Sequence, residues 1–291
     1  MLGAGLRKNL LHPYNSRNRL AATLRYLEWQ ARRRLGRRWR RKFWDDRIVT
    51  LYPDSSESMW LLYNVVMDWP EFPFIARYLR TDDTAVDVGA NIGIYVLWIS
   101  RFLGTRGRLI AFEPVPETHA RLSEQISQNG LRGIVLERRA VTNIAGSIQI
   151  TTGKDMENYV LMDAGKIGDS QTVETVTLDE YARSNSIQEI HFLKVDVEGA
   201  EPLVLDGADS LLKERRIAVV QFEVGEHWRR FGRELSSTAE RLRQYGYLPF
   251  VPNEHGSALA RVGDWDAALR GQNLFITRSV AEVSGRLEAG L

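Results

Sequence analysis

The residues of this sequence that could do chemistry lie at three points, and each point follows a run of apolar residues. The first is the segment from Asp87 to Gly93, Asp-Val-Gly-Ala-Asn-Ile-Gly, which turns a predicted strand into a predicted helix. Its two glycines permit a tight turn and the close approach of a ligand. Unpaired N–H groups at the start of the helix can bind a polar or negative group. The Gly-x-Gly-x-x-Gly spacing is absent, so a dinucleotide pyrophosphate fits this turn poorly.

Carboxylates occupy the second and third points. Glu113 ends the second predicted strand, where an acid in a nucleotide-binding βαβ unit accepts hydrogen bonds from both ribose hydroxyls. Asp196 and Glu198 follow the fourth predicted strand, in the run Lys-Val-Asp-Val-Glu-Gly-Ala-Glu. Ligands of open α/β sheets bind outside the carboxyl ends of the strands, so we expect these acids to face the same crevice as Asp87.

The elements that must position these acids alternate between strands and helices. Seven short runs predict strands: 85–88, 108–112, 134–136, 191–195, 218–222, 248–251 and 273–277. Strands that alternate with helices form βαβ units and a parallel sheet. Residues 147–151 and 172–177 alternate instead like antiparallel strands, so we interpret 144–178 as an insertion near the sheet edge or over the site.

Taken together, these motifs resemble the FkbM-type S-adenosylmethionine (SAM)-dependent methyltransferases. The similarity covers roughly residues 81–278 and rests on four runs: Asp87–Gly93, Phe112–Pro114, Thr177–Glu180 and Leu193–Glu201. The resemblance implies a class I (Rossmann-like) methyltransferase of the α/β class. Its sheet would have seven mostly parallel strands, with helices on both faces and the last strand reversed.

The resemblance also implies a role for individual residues. Asp87, Gly89 and Gly93 would line the methionine end of SAM, and Glu113 would bind its ribose. Asp196 would lie near the amino-acid part of SAM and face the transferred methyl group. The residues after the third strand would lie beside adenine. The expected cofactor-binding residues are Asp87, Gly89, Asn91, Gly93, Glu113, Pro114, Ala140, Val141 and Asp196.

The chemistry of catalysis follows from this cofactor. Its sulfonium already activates the methyl group, so the protein mainly aligns an acceptor oxygen with the carbon–sulfur bond. A base that removes the proton helps when the acceptor is an aliphatic hydroxyl. The candidate catalytic residues are Asp196, Glu198, Glu223 and His227, of which the histidine titrates near neutral pH. No cluster of acids has a spacing that requires a metal ion, so none is expected.

The expected activity is O-methylation of a hydroxyl on a sugar, a glycan or a small metabolite. One alternative is RNA methylation, because five aromatic residues are interleaved with arginines near the N-terminus: Tyr26, Trp29, Trp39, Phe43 and Trp44. The other alternative is a nucleotide-binding module without enzymatic activity. The absence of a third glycine in the turn disfavours an NAD-type module.

Composition excludes several classes of protein and reveals a charge asymmetry. The 291 residues are 44% hydrophobic and 26% charged, which excludes a mainly disordered chain. The chain has no cysteine, which excludes disulfides, thiolate metal sites and a cysteine nucleophile. The net charge of +2 conceals a split, because residues 1–50 carry 14 Lys and Arg against three acids. The remaining residues are therefore net acidic, and the basic segment bears on partners rather than on the fold.

The basic segment is predicted to contain an amphipathic helix. Residues 19–42 lack proline, and Leu20, Leu24, Leu27, Ala31 and Leu35 recur at spacings of three and four. Three interpretations of this helix are compatible with its sequence. The leucine stripe could pack on the catalytic domain, the helix could lie on an anionic membrane surface, or the segment could be an RNA-binding arm.

The predicted organisation has four parts. They are a basic helical extension (1–47), a lead-in strand with cap helices (48–80), the methyltransferase domain (81–279) and a tail (280–291). No segment reaches about 18 consecutive apolar residues, and the N-terminus has no apolar signal region. We therefore expect a cytoplasmic protein, with a peripheral membrane contact as one option. The sequence does not indicate an oligomeric state.

Overall fold

A computed structural model describes residues 10–44, 46–152, 159–161, 170–224, 228, 235–262 and 272–289 of the chain. The strands are β1 (Trp39–Phe43), β2 (Arg47–Leu51), β3 (Thr84–Val88), β4 (Arg108–Phe112), β5 (Ile134–Glu137), β6 (Ala140–Val141), β7 (Gly146–Thr151), β8 (Val160–Leu161), β9 (Ser170–Val176), β10 (Ile190–Val195), β11 (Ile217–Val224), β12 (Leu248–Pro252), β13 (Leu259–Arg261) and β14 (Gln272–Thr277). The α-helices are α1 (Arg19–Leu35), α2 (Ser56–Asn64), α3 (Glu71–Tyr78), α4 (Ile94–Ile99), α5 (Pro116–Gln128), α6 (Leu178–Ser184), α7 (Glu201–Asp206), α8 (Asp209–Lys213), α9 (Leu235–Gln244) and α10 (Val280–Ala289).

The central sheet has the strand order β13-β12-β14-β11-β10-β3-β4-β5. Strands β5, β4, β3, β10 and β11 pair in parallel, whereas β14 is antiparallel to both of its neighbours. This confirms the expected class I methyltransferase sheet with a reversed last strand. The expected number of seven strands is wrong, because β13 adds an eighth strand at the edge. That strand is three residues long and largely exposed, so it has no apolar run that sequence analysis could detect.

Both faces of the central strands are buried. In β3, Ala85 packs in one hydrophobic core and Val86 in the other, and Phe192 and Leu193 of β10 repeat the pattern. A strand that is buried on both faces is apolar at successive positions. This is why these strands could be predicted from short apolar runs, and their parallel pairing brings their carboxyl ends to one edge.

A small second sheet lies beside the carboxyl edge, with the order β6-β9-β7-β8. Strands β7 and β9 pair antiparallel, as the alternating pattern predicts, and Ile148 pairs with Val173. Strand β6 joins them by a parallel pairing with β9. The buried residues Ala140, Ile150 and Val173 form a separate hydrophobic cluster. The first strand of this sheet, β6, follows shortly after β5 in the chain.

The basic helix packs through a different face from the predicted one. Leu20 and Leu35 are 73% exposed, Leu24 is 57% exposed and Leu27 is 52% exposed. The interpretation in which the leucine stripe packs on the catalytic domain is therefore wrong. The helix carries a second apolar stripe, and the buried positions are Ala22, Tyr26 and Trp29. Aromatic side chains bury more apolar area than leucine, which favours this face.

Aromatic contacts hold the helix to the rest of the protein. The ring centroids of Tyr26 and Tyr63 are 5.3 Å apart, and those of Trp29 and Trp39 are 5.6 Å apart. Trp29, Phe43 and the sheet residue Ala85 belong to one hydrophobic core. Because Tyr26, Trp29 and Phe43 are buried, these rings cannot stack on RNA bases in this structure. No helix of the described chain is both long enough and apolar enough to span a bilayer.

Candidate functional site

A cavity opens at the carboxyl ends of β3, β4 and β10. Eight of the sequence-predicted site residues line it together: Gly89, Asn91, Glu113, Pro114, Ala140, Val141, Asp196 and Glu198. The small sheet supplies another wall of the cavity through Ile150, Tyr159 and Val160. The structure therefore brings together residues that are more than 100 positions apart in the chain.

The glycine turn is shaped by close backbone contacts. Gly89 has φ +83°, and a Cβ atom at this position would lie 1.9 Å from the carbonyl oxygen of Asp196. Gly93 has φ +94° and precedes α4, and a Cβ atom there would lie 2.2 Å from Cδ1 of Leu122. Gly89 thus keeps the backbone after β3 against the backbone after β10. Gly93 lies against α5 and is outside the cavity lining.

Two backbone N–H groups hold the Glu113 carboxyl in place. Its Oε2 accepts a hydrogen bond from the Asn91 N–H at 3.0 Å, and its Oε1 accepts one from the Val115 N–H at 2.8 Å. Burial raises the pKa of this carboxyl to about 7, and the two backbone N–H groups act in the opposite direction. A carboxylate has about four lone-pair positions, so Glu113 can accept further hydrogen bonds from vicinal hydroxyls in the cavity.

A buried lysine joins two of the predicted acids. Lys194 Nζ lies 3.5 Å from Asp87 Oδ1 and 3.1 Å from Asp196 Oδ2. Burial opposes the charged form of Lys194, but the two carboxylates raise its pKa above the ordinary value. Asp87 is fully buried beneath the cavity, and burial raises its pKa. Asp196 lines the cavity, so one of the two carboxylates paired with this lysine faces the ligand space.

The turn after β10 has its own supporting carboxylate. Glu201 is 1% exposed, and its Oε1 accepts hydrogen bonds from the N–H groups of Val197 and Gly199 at 3.0 and 3.2 Å. Glu198 has φ +53° and lines the cavity. Glu201 therefore positions the segment that carries Asp196 and Glu198. The roles of Lys194 and Glu201 were not predicted from the sequence, although a charged residue inside an apolar strand was a signal for the lysine.

A second group of acids lies on the other side of Lys194. Tyr95 Oη donates a hydrogen bond to Asp68 at 2.5 Å and accepts one from Gln221 at 3.0 Å. Lys194 Nζ lies 4.4 Å from the centroid of the Tyr95 ring. Burial raises the pKa of Asp68, although the Tyr95 hydroxyl favours its ionised form. This network links the segment before α3 to the lysine beneath the cavity.

Glu71 and Glu223 complete this group. Asn273 Nδ2 donates a hydrogen bond to Glu71 Oε1 at 3.2 Å. Burial, followed by the charge of Asp68, raises the pKa of Glu71 to about 7. Burial, followed by the charge of Asp196, raises the pKa of Glu223. We refer to Asp68, Glu71 and Glu223 as the acid group.

Of the two remaining predicted catalytic residues, Glu223 and His227, only Glu223 lies within the described residues. Glu223 lies near the end of β11 and is outside the cavity lining. His227 lies outside the described residues. Within the described part of the chain, no set of three or more His, Asp or Glu side chains is placed to hold a metal ion. Asp68 and Glu71 were missed because a linear sequence does not show that α3 lies near the strand ends.

The sheet order, the glycine turn and the acid after β4 together define a class I SAM-dependent methyltransferase. A family profile described as "Methyltransferase FkbM domain" matches residues 87–249, and the chain belongs to this family. The expectation from the sequence motifs is thereby confirmed.

Individual proteins and solved structures are similar to this chain. The chain is 27% identical over 173 residues to the hexuronic acid methyltransferase AglP of Haloferax volcanii, covering 59% of this chain and 69% of that protein. It is 28% identical over 222 residues to the methyltransferase sdnD of Sordaria araneosa, covering 62% and 83%. Among solved structures, fibrillarin of Aeropyrum pernix with natively bound SAM aligns with a TM-score of 0.35 and 14% identity, covering 70% of this chain and 71% of that one.

The cavity fits the cofactor of this family, SAM. Glu113 lines the cavity, and its carboxylate oxygens could accept hydrogen bonds from ribose hydroxyls. Asp196 supplies a negative charge that suits the cationic sulfonium and amino groups. Gly89 has no side chain where one would fill the space between the two strand ends. When SAM is bound, it supplies an activated methyl group.

Proposed function

We propose that this protein methylates a hydroxyl oxygen of a sugar or glycan, with Glu223 as the general base. The observation that carries the proposal is the strand register that makes Glu223 a neighbour of Asp196, which lines the cavity. Burial raises the pKa values of all three members of the acid group, and a carboxylate with a raised pKa is a stronger proton acceptor. The similarity to a hexuronic acid methyltransferase supports an acceptor of the sugar class.

Glu223 is chosen for its position relative to Asp196. Val195 pairs with Phe222 across the parallel strands β10 and β11, so the next residues, Asp196 and Glu223, are neighbours at the strand ends. Asp196 lines the cavity, and Glu223 is half-buried beside it. A hydroxyl placed between them could be oriented by Asp196 and pass its proton to Glu223. SAM, when bound, would supply the methyl group to the hydroxyl oxygen and would leave as the neutral thioether.

The neighbouring acids set the protonation behaviour of Glu223. Burial is the largest cause of the raised pKa of Glu223. The charges of Asp196 and Asp68 raise this pKa further, while the charge of Lys194 lowers it. A base with a raised pKa accepts a proton more readily at neutral pH. The acid group itself supplies no positive charge for phosphates, which disfavours a nucleic-acid acceptor. The acid group therefore favours an acceptor that offers a hydroxyl for deprotonation.

The acceptor is tested with labelled SAM against nucleotide sugars, hexuronic acids, glycolipids, small polyols and RNA. We expect label in at least one sugar, in a product that survives mild alkali, because a methyl ether is stable to alkali and a methyl ester is not. Transfer to RNA alone, or to nothing but a carboxyl group, would show that the proposed function is wrong.

The role of Glu223 is tested with Glu223→Gln, compared with the matched change Glu254→Gln in an exposed turn. Loss of a general base lowers kcat by about 10²- to 10⁴-fold. We expect such a loss only in Glu223→Gln, with SAM affinity by calorimetry kept within about twofold of the unchanged protein since the residue lies outside the cofactor cavity. Retained kcat in this variant would reject Glu223 as the base but leave the acceptor class standing.

A further inference from the structure

Helix α1 presents an exposed apolar surface to solvent. We define the leucine face as Leu20, Leu24, Leu27, Ala31 and Leu35, all of which are exposed. Nine large hydrophobic residues of the described chain are exposed, and six of them lie within residues 11–35. Scattered apolar residues need no explanation, whereas a contiguous patch marks an interaction surface. At 1.5 Å per residue, the helix carries this face along about 25 Å.

The opposite face of the helix fixes its orientation. Ala22, Tyr26 and Trp29 are buried against the protein, and they lie on the other side of the helix from the leucine face. The helix is capped at both ends, by the Asn18 side chain and by Gly36 with φ +64°. The leucine face is therefore presented by a formed helix, so docking does not require the segment to fold.

Helix α1 and the residues that follow it are rich in basic side chains. Arg32 and Arg41 pair with Glu28, and Arg38 pairs with Glu124. Five exposed basic residues have no carboxylate partner within the described ranges: Arg19, Arg33, Arg34, Arg37 and Lys42. The remainder of the protein after residue 50 is net acidic, so the excess positive charge of the chain lies in residues 1–50.

We propose that the leucine face docks on the surface of an anionic phospholipid bilayer. An interfacial helix buries apolar side chains at the headgroup boundary and places Lys and Arg beside anionic headgroups. A second copy of the chain is a poorer occupant, because pairing two leucine faces would bring two arginine-rich segments together. RNA is also a poorer occupant, because it offers phosphates to the arginines and nothing to exposed leucines.

The proposal is tested by co-sedimentation of the full chain with vesicles. The two compositions are phosphatidylcholine alone and phosphatidylcholine with about one third phosphatidylglycerol. We expect binding to the anionic vesicles, and weaker binding at high salt because the charges are screened. No sedimentation with anionic vesicles, or equal binding to both compositions, would overturn the proposal.

Variants separate the apolar contribution from the charge. Leu24→Gln with Leu27→Gln removes two apolar anchors while keeping good helix formers, and we expect partition to fall about tenfold or more. Arg34→Gln with Arg37→Gln should lower partition about tenfold. Ile144→Gln changes an exposed apolar residue outside the leucine face and should change nothing. Circular dichroism and SAM affinity confirm that each variant is folded.

The same variants would show whether a second copy of the chain or RNA, rather than a bilayer, binds the leucine face. A leucine variant that binds vesicles as well as the unchanged protein would overturn the proposal. If sedimentation velocity shows that the leucine substitutions convert a dimer to a monomer, the face is an interface between two copies. If only the arginine substitutions weaken binding, and RNA competes for it, the surface is a nucleic-acid site. This test is independent of the methyl acceptor.

Discussion

Gly89 lies where the backbone that follows β3 closely approaches the backbone that follows β10. Its backbone conformation, with φ +83°, is one that other L-residues rarely adopt. The nearest atom to a Cβ at this position is the Asp196 carbonyl oxygen, which belongs to the backbone and cannot rotate away. Gly89 is therefore required both for the turn and for the position of Asp196.

This requirement predicts a large effect of Gly89→Ala and a small effect of Gly130→Ala. Gly130 also has a left-handed φ, +58°, but a Cβ atom there would meet no atom of the described residues within 4 Å beyond its chain neighbours. Gly130→Ala should lower the free energy of unfolding by about 1–2 kcal/mol, the cost of the conformation alone. Gly89→Ala adds a steric clash, so we expect a larger loss together with weaker SAM binding. Urea denaturation and calorimetry measure the two effects, and equal losses in both variants would contradict this account.

At the scale of elements, helix α1 shows why periodicity alone can select the wrong face. Leucines recur along one side, and Ala22, Tyr26 and Trp29 recur along the other. Both stripes satisfy the spacing of an amphipathic helix. Only the tertiary structure, in which Trp29 meets Tyr63 and Trp39, decides which stripe is buried.

The two faces of α1 predict opposite responses to truncation. Trp29 is 2% exposed, so Trp29→Ala should lower the free energy of unfolding by about 3–5 kcal/mol. Leu24→Ala removes an exposed side chain and should change it by no more than about 0.5 kcal/mol. Urea denaturation of the two variants checks this. A large loss in Leu24→Ala with a small one in Trp29→Ala would show that the leucine face packs after all.

Most of the sheet could be predicted because its strands are buried on both sides and separated by helices. The edge strand β13 could not, because its residues are too few and too exposed to form a pattern. The residues of the site also fall into a predictable and an unpredictable group. Asp196 and Glu113 follow strands, so their convergence follows from the parallel sheet. Asp68 precedes α3, and its contact with Tyr95 depends on how that helix packs, which no local pattern encodes.

At the scale of the whole molecule, buried acids with raised pKa values couple stability to pH. Burial raises the pKa values of Glu71, Glu113 and Glu201 to about 7. In the unfolded chain these groups ionise near their ordinary pKa values, so between that range and pH 7 the folded protein binds more protons. Their contribution therefore favours the folded state at low pH and is lost as pH rises through about 7. His12 and His119 have lowered pKa values because of burial, and they act in the opposite direction only below about pH 6.5.

We therefore predict that the SAM-free protein becomes less stable between about pH 6.5 and pH 8, by about 1 kcal/mol for each buried acid. Glu201→Gln should reduce this fall, because the amide oxygen can still accept hydrogen bonds from Val197 and Gly199 but carries no charge to ionise. Glu254→Gln, in an exposed turn, should leave the slope unchanged. Urea denaturation at a series of pH values gives these slopes. Identical slopes for the unchanged protein and Glu201→Gln would show that the Glu201 carboxyl is ionised in the folded state. A positively charged group would then have to stabilise this carboxylate in the buried turn after β10.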